Sequence, residues 1–404
     1  MGWVRTECEK SVKKAIPVIV KEWLAKPDMT MTLLIKKFST KSHLYLVGLV
    51  LFGLGVAIHT VTEPKIYSDI VSVWTRPEVH GGGLPYVNFA FEYPAVIGWL
   101  LYASTWGGYG AYILIQAGVL AACVLAIVIA LYKLQVRRES ILIYVLAAPT
   151  MLIYGFYNWD LILVALFMLS LVALMSKRIP WAGFLLGFAT ASKLYSVVFI
   201  PVLLSTLKTW RERTRFAVFC LVGWFLPNLP FMLLSPSGWM STWTYQQNWG
   251  FEDTWLLILS PQDKFNMVVK LFGFFLMGLV VLHITFRSKP NTPLRERLLV
   301  AALAWLLFSY VSTPQMALLL LPLFAINGTD YSLFYFSEVA NVSIILTWYT
   351  VPDPVALGSI PQIVNLLRQG VWFIILARSS TWNLRSLWNW SWQPLRLKDT
   401  RGAI

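Results

Sequence analysis

Ionisable side chains are rare in this chain, so the places where they gather carry information. Between Tyr67 and Pro94 a long polar excursion holds Asp69, Arg76, Glu78, His80 and Glu92 among aromatic residues. Binding and chemical residues concentrate on loops held by a rigid scaffold, so this stretch reads as the catalytic loop of a membrane-embedded enzyme. A second candidate is Lys193, which lies inside an apolar stretch at 181–207. A lysine at the centre of a spanning helix costs about 2.5–3.5 kcal/mol on insertion scales, which makes it a functional-site candidate by default. The other reading is a side chain that snorkels to the interface. Asn158 and Asp160, Glu252 and Asp253, and the turn Thr313-Pro314-Gln315 complete the polar set.

These groups must be positioned by membrane helices. Hydrophobic residues make up 57% of the 404 and charged residues 13%, against roughly 45–50% and 25% in a soluble domain. An all-α polytopic membrane protein is expected. Lys and Arg outnumber Asp and Glu by 33 to 19, but in such a chain loop charge sets orientation, and no nucleic-acid partner is expected. Apolar runs fall at 44–62, 109–132, 140–156, 158–175, 181–191, 195–207, 215–235, 265–287, 297–312, 314–328, 332–351 and 362–378. They predict about twelve crossings, several of them shorter than the roughly 20 residues that span hydrocarbon and therefore broken or tucked against neighbours.

With both termini cytoplasmic, all but six of the 33 basic residues fall inside, the six being Lys65, Arg76, Lys193, Lys264, Lys270 and Arg368. That bias is what the positive-inside rule requires, and it places the polar set on the non-cytoplasmic side. Lys177 and Arg178 before the 181–207 stretch, and Lys208 and Arg211 after it, all belong inside, so the chain goes out and returns. Limbs this short reach about 17–20 Å at 1.5 Å per residue, which leaves Lys193 recessed at the turn. Residues 1–43 form a basic N-terminal segment, either interfacial or solvated, with no cleaved signal peptide expected. Residues 44–378 form the transmembrane domain, with outer loops at 63–108 and 236–264. Within the first, AVIGWLLYAS is too short to cross and reads as a re-entrant or surface-lying segment, or as part of one long bent helix. Residues 379–404 form a basic, Trp-rich cytoplasmic tail of interfacial character. Cys8, Cys123 and Cys220 suggest no disulfide framework.

Four pieces in order, YSDIVSVW with GGGLPYVNFAFEYP, then YNWDLILVALFMLSLVAL, PWAGFLLGFATASKLYSVVFIPVLL and STPQMALLLLPLF, resemble the GT-C membrane glycosyltransferases. The likeness is nearest to family 87, whose members take mannose from polyprenyl phosphate, and to the glycosylphosphatidylinositol mannosyltransferases. It covers roughly residues 60–325. It implies a GT-C fold, with re-entrant or interfacial helices on the outer side. It also implies transfer of a hexose, mannose first, from a polyprenyl or dolichyl phosphate to a lipid or glycan acceptor. By that resemblance Asp69 is the general base and Lys193 the cation on the donor phosphate. The chemistry is consistent: a phosphate already leaves well, so one carboxylate that takes the acceptor proton is sufficient. Hydrolases use a second, protonated carboxyl to help an alkoxide leave.

The same likeness puts Tyr195 and Gln315 in the pocket. Tyr67, Glu92, Tyr93, Asn158, Asp160, Gln247, Glu252 and Asp253 are further substrate-binding candidates, although Glu92 and Asp160 serve equally well as helix caps. The chain departs from the pattern twice. Tyr67-Ser68-Asp69 stands where an Asp-x-Asp is usual, so no metal cofactor is expected, and a divalent cation stays open. Trp249 stands where family 87 has an arginine before the glycine, which leaves Arg76 or His80 to supply that phosphate contact. Membrane lipids are expected neighbours, and an accessory membrane subunit stays open. The alternative to an enzyme is a secondary transporter or flippase, which would show repeats and midplane binding.

Overall fold

The computed structural model describes residues 41–62, 65–288 and 292–379. The expectations for the basic N-terminal segment and the Trp-rich tail therefore fall almost wholly outside the described residues. The first helix, α1 (Lys41–Thr60), leads into the polar excursion, which folds as two short helices, α2 (Asp69–Trp74) and α3 (Pro77–His80). Then come α4 (Ala95–Ser104), α5 (Gly108–Lys133), α6 (Arg138–Ile141), α7 (Pro149–Tyr154), α8 (Asp160–Met175) and α9 (Ile179–Ser192). A 3-10 turn, Leu194–Val198, joins α9 to α10 (Phe199–Thr206), followed by α11 (Trp210–Leu234) and α12 (Pro236–Asn248). The chain ends in α13 (Met267–Phe286), α14 (Leu294–Phe308), the 3-10 stretch Pro314–Leu319, α15 (Leu320–Asn327), α16 (Tyr331–Trp348) and α17 (Ile360–Arg378). Among the described residues there is no strand, only two isolated bridges, Pro85 to Phe89 and Glu252 to Val311.

Each of the twelve apolar runs becomes a helix or a short series of helical pieces. Among the described residues five helical stretches are long and apolar enough to cross a membrane alone: Ser42–Thr60, Ala95–Lys133, Trp210–Leu234, Met267–Phe286 and Ile360–Arg378. The shorter ones survive because neighbours cover them. α8 is apolar on every face and almost entirely buried, and α14 is buried from Leu298 to Phe308. An all-round hydrophobic helix belongs at the centre of a bundle.

AVIGWLLYAS settles as a separate helix, α4. A 3-10 turn at Thr105–Gly107 and a positive φ of 76° at Gly108 divide it from α5. Unbroken, the 39 residues of Ala95–Lys133 would reach about 58 Å, far beyond a bilayer core. Both ends of α4 stay on one side of the bundle: Pro94 lines the cavity described below, while Tyr109, just past the break, packs on Trp74 of α2 with ring centroids 5.9 Å apart.

The doubled-back limb around Lys193 is held by backbone-to-backbone approach. A Cβ on Gly183 would stand 2.3 Å from the Phe216 carbonyl oxygen, one on Gly187 would stand 1.9 Å from that of Cys220, and one on Gly223 would stand 2.1 Å from that of Phe184. Small residues four apart let membrane helices touch where lipid supplies no hydrophobic drive, so Gly183 and Gly187 on α9 with Gly223 on α11 fix the angle at which α9 delivers Lys193. Gly187→Leu should push the pair apart at a cost of about 1–3 kcal/mol or more. A lowered melting temperature in detergent is the expected result; an unchanged one would remove this contact from the argument.

Candidate active site

The polar excursion is stitched to the α7–α8 connection before it presents any chemistry. His59 hydrogen-bonds the Ile66 and Ile153 carbonyls at 2.9 and 2.7 Å. Ser68 Oγ donates to the Phe156 and Tyr157 carbonyls, and the Asp69 amide donates to the Tyr157 carbonyl at 2.9 Å. From the other side the Tyr112 hydroxyl donates to the Ile70 carbonyl at 2.7 Å. Asp69 is therefore the first residue of α2, in a frame set by α1, α5 and α7.

The side chain of Asp69 meets Asn158, whose amide nitrogen donates to Asp69 Oδ2 at 2.6 Å. The amide oxygen of the same Asn158 accepts from Lys193 Nζ at 2.9 Å. One buried amide thus spans the carboxylate and the ammonium. Beneath them Asp160, fully buried at the start of α8, lies 3.3 Å from Lys193 Nζ through Oδ2 and accepts from the Tyr195 hydroxyl at 2.7 Å through Oδ1. Lys193 also sits 4.8 Å above the Tyr93 ring. Tyr93 in turn packs edge-on against Trp159, whose indole donates to Gln116.

Asp69 and Lys193 both line one cavity of about 500 Å³. Burial raises the pKa of Asp69 above the ordinary aspartate value, and Lys193 opposes that rise. Tyr67, Arg76, Glu92, Tyr93, Asn158, Tyr195, Glu252, Asp253 and Gln315 line the same space, so segments far apart in sequence converge there. Glu252 accepts from the Trp249 indole at 2.6 Å, and burial together with the neighbouring Asp253 raises its pKa.

Several expectations are corrected in detail. His80 is exposed beyond the cavity, against the Trp74 ring, and does not replace the missing cation. Arg76 lines the cavity but is held by Glu92 through two parallel bonds, one of 2.8 Å, so its charge is already matched. Gln247 is exposed and outside the cavity, giving only its carbonyl to Lys270 at 3.1 Å; Gln246 is the glutamine in the wall. Asp160 does not face the cavity and instead underpins Lys193 and Tyr195. Lys270 and Arg368, two of the six basic residues assigned to the outer side, are buried, at 3% and 0% exposure.

Sequence reasoning named Tyr67 but missed the tyrosines that surround it at the mouth. Tyr67 packs on Tyr157 and Tyr349, with centroids at 5.8 and 6.1 Å, and Tyr245 and Tyr310 stand in the same wall. Aromatic residues at a membrane boundary are too common for their types alone to single these out. Among the described residues no three His, Cys, Asp or Glu side chains gather so as to hold a metal ion.

Comparison with known proteins agrees with this architecture. GPI mannosyltransferase 1 of Debaryomyces hansenii is 27% identical over 180 residues, which is 40% of this chain and 42% of that protein, so the alignment spans less than half of the relative. A profile of glycosyltransferase family 87 matches residues 91–347, which takes in Asn158, Asp160, Lys193, Glu252 and Gln315 and begins after Asp69. With more than half of its length matched, on an all-helical membrane fold of GT-C type, the chain belongs to glycosyltransferase family 87.

Proposed function

We propose that the protein moves a mannosyl residue from a polyprenyl or dolichyl phosphate to a hydroxyl of a lipid or glycan acceptor, at the non-cytoplasmic membrane face. The observation that carries this reading is the Asn158 amide, 2.6 Å from the Asp69 carboxylate and 2.9 Å from the Lys193 ammonium, inside a single cavity. Support for mannose comes from the partial likeness to a GPI mannosyltransferase. Support for the outer face comes from the cluster of basic residues at the connections away from the cavity.

In this mechanism the acceptor oxygen attacks the anomeric carbon while Asp69 takes the hydroxyl proton. The bond from that carbon to the phosphate oxygen breaks, and the phosphate leaves with the electron pair. Lys193 meets the charge that develops there, a contribution that strengthens in a water-poor site. Attack opposite the leaving phosphate inverts the anomeric centre. Asp160, 3.3 Å from Lys193 Nζ, holds that side chain in place, and Lys193 supplies the charge for which other phosphate-transferring sites use a metal. Glu252, facing the cavity from the opposite wall, hydrogen-bonds a sugar hydroxyl. A general base whose pKa has been raised is better matched to neutral pH than an ordinary aspartate.

Asp69→Asn should lower turnover by about 10²- to 10⁴-fold while the protein still folds and binds donor. The assay is purified protein with polyprenyl-phosphate mannose and candidate lipid acceptors, with products weighed by mass spectrometry. Wild-type turnover in the variant would reject the mechanism, and a nucleotide sugar alone should give no product.

The raised pKa fixes two further outcomes. The acid limb of kcat/KM should fall above the ordinary aspartate value of about 3.9. Lys193→Met, which removes the charge opposing that rise, should move the limb of any residual activity upward. On stability the sign follows from linkage: a carboxyl whose folded pKa is raised contributes stability below its unfolded pKa and loses it as pH climbs through the folded one. Asp69→Asn should therefore melt higher than wild type near pH 7, with the difference vanishing at acid pH. A variant that melts lower at neutral pH would contradict the assignment.

A further inference from the structure

Helix α17 lies beyond the residues matched to the family and contributes no side chain to the cavity. Its buried face is nevertheless polar: Gln362, Asn365, Arg368 and Gln369 are all 2% exposed or less. Spacings of three and four put them on one stripe. Arg368 Nη2 donates to the Ser312 carbonyl at 2.6 Å and to that of Asp253 at 3.4 Å, and Nη1 donates to Asn341 Oδ1 at 2.7 Å. Gln369 donates to the same Asp253 carbonyl at 3.0 Å, and Gln362 reaches Asp253 Oδ1 at 3.2 Å.

These bonds converge on a strained point. Asp253 has a positive φ of 51°, a region that side-chain-bearing residues rarely occupy. The backbone reversal there follows Glu252, which faces the cavity, and Glu252 is itself laddered to Tyr310 and Ser312 at 3.0 Å each. A buried guanidinium without hydrogen-bond partners would be far too costly to keep, so its bonding to carbonyls of both wall segments fixes their relative position.

We infer that Arg368 is a positioning residue for sugar transfer, clamping the 252–254 and 309–315 segments so that Glu252 and Gln315 face the substrate. The inference rests on the reading of this cavity as the transfer site. The test is a double-mutant cycle of Arg368→Met with Glu252→Gln, with kcat and KM measured per folded molecule after size-exclusion chromatography. Arg368→Met should lower kcat/KM about tenfold or more, and the double variant should be little worse than the poorer single one, because coupled residues do not add. Arg368→Lys, which keeps the charge and loses the fork, should recover only part of the loss.

Losses that multiply, or normal kinetics per folded molecule beneath a lowered yield, would reduce Arg368 to a structural role and overturn the inference. If Arg368→Met does not accumulate, Gln369→Met, which cuts the second bond to the Asp253 carbonyl, is read by the same cycle. An active Asp69→Asn enzyme would sink the site assignment itself; an inactive one beside a multiplicative cycle would sink only the clamp.

Discussion

A carboxylate and an ammonium left together in a water-poor cavity tend to collapse into an ion pair, and in the transfer proposed above such a pair could not take a proton and bind a phosphate at once. The Asn158 amide prevents this by standing between them, donating to Asp69 and accepting from Lys193. Asp160 then supplies Lys193 with a counter-charge from below, out of reach of substrate. Ionised groups removed from water persist only when paired and hydrogen-bonded, and this arrangement satisfies that condition while both side chains still line the cavity. Asp69 keeps its place through the stitching of Ser68 and its own amide to the α7–α8 connection, and Lys193 through the close glycine contacts of α9 with α11. Most of the bundle can be read as the support for that one span.

The same logic explains where the sequence was legible. Lys193 stood out because a charge inside an apolar run is expensive, and the positive-inside pattern then forced the chain to turn there. The excursion after α1 stood out because it is long and polar, but among its five ionisable residues only the resemblance to the GT-C enzymes pointed to Asp69. The cost of burying charge, which can be read from residue type alone, carried the first inference and only the location of the second. The bundle was legible for a related reason: every apolar run became helix, since backbone groups in hydrocarbon must satisfy one another.

What the sequence concealed was pairing. Arg76 and Glu92 were each plausible ligands for substrate, yet they face each other, a fact fixed by how α2 and the start of α4 approach rather than by any local signal. Gln246 and Gln247 are adjacent and chemically identical, and only the phase of α12 puts the first in the wall. Arg368 carried the same warning as Lys193, a charge within an apolar run, but the outer-side assignment made it seem explained. Its burial at the middle of α17 shows that a charge on a membrane helix can be held inside the protein by its neighbours.

The division of labour in the cavity wall follows from these pairings. One side is rigid by covalent and helical means: Asp69, Asn158 and Lys193 sit at helix ends or tight turns. The opposite side, from Trp249 to Thr254 and from Ser309 to Gln315, is mostly irregular backbone and partly buried, so its polar groups need partners from the protein. The side chains of α17 and the ladder between Glu252 and Val311 supply those partners. A wall built this way can present carboxylates and aromatic faces to a sugar, and under the clamp inferred above its accuracy depends on residues that do not line the cavity.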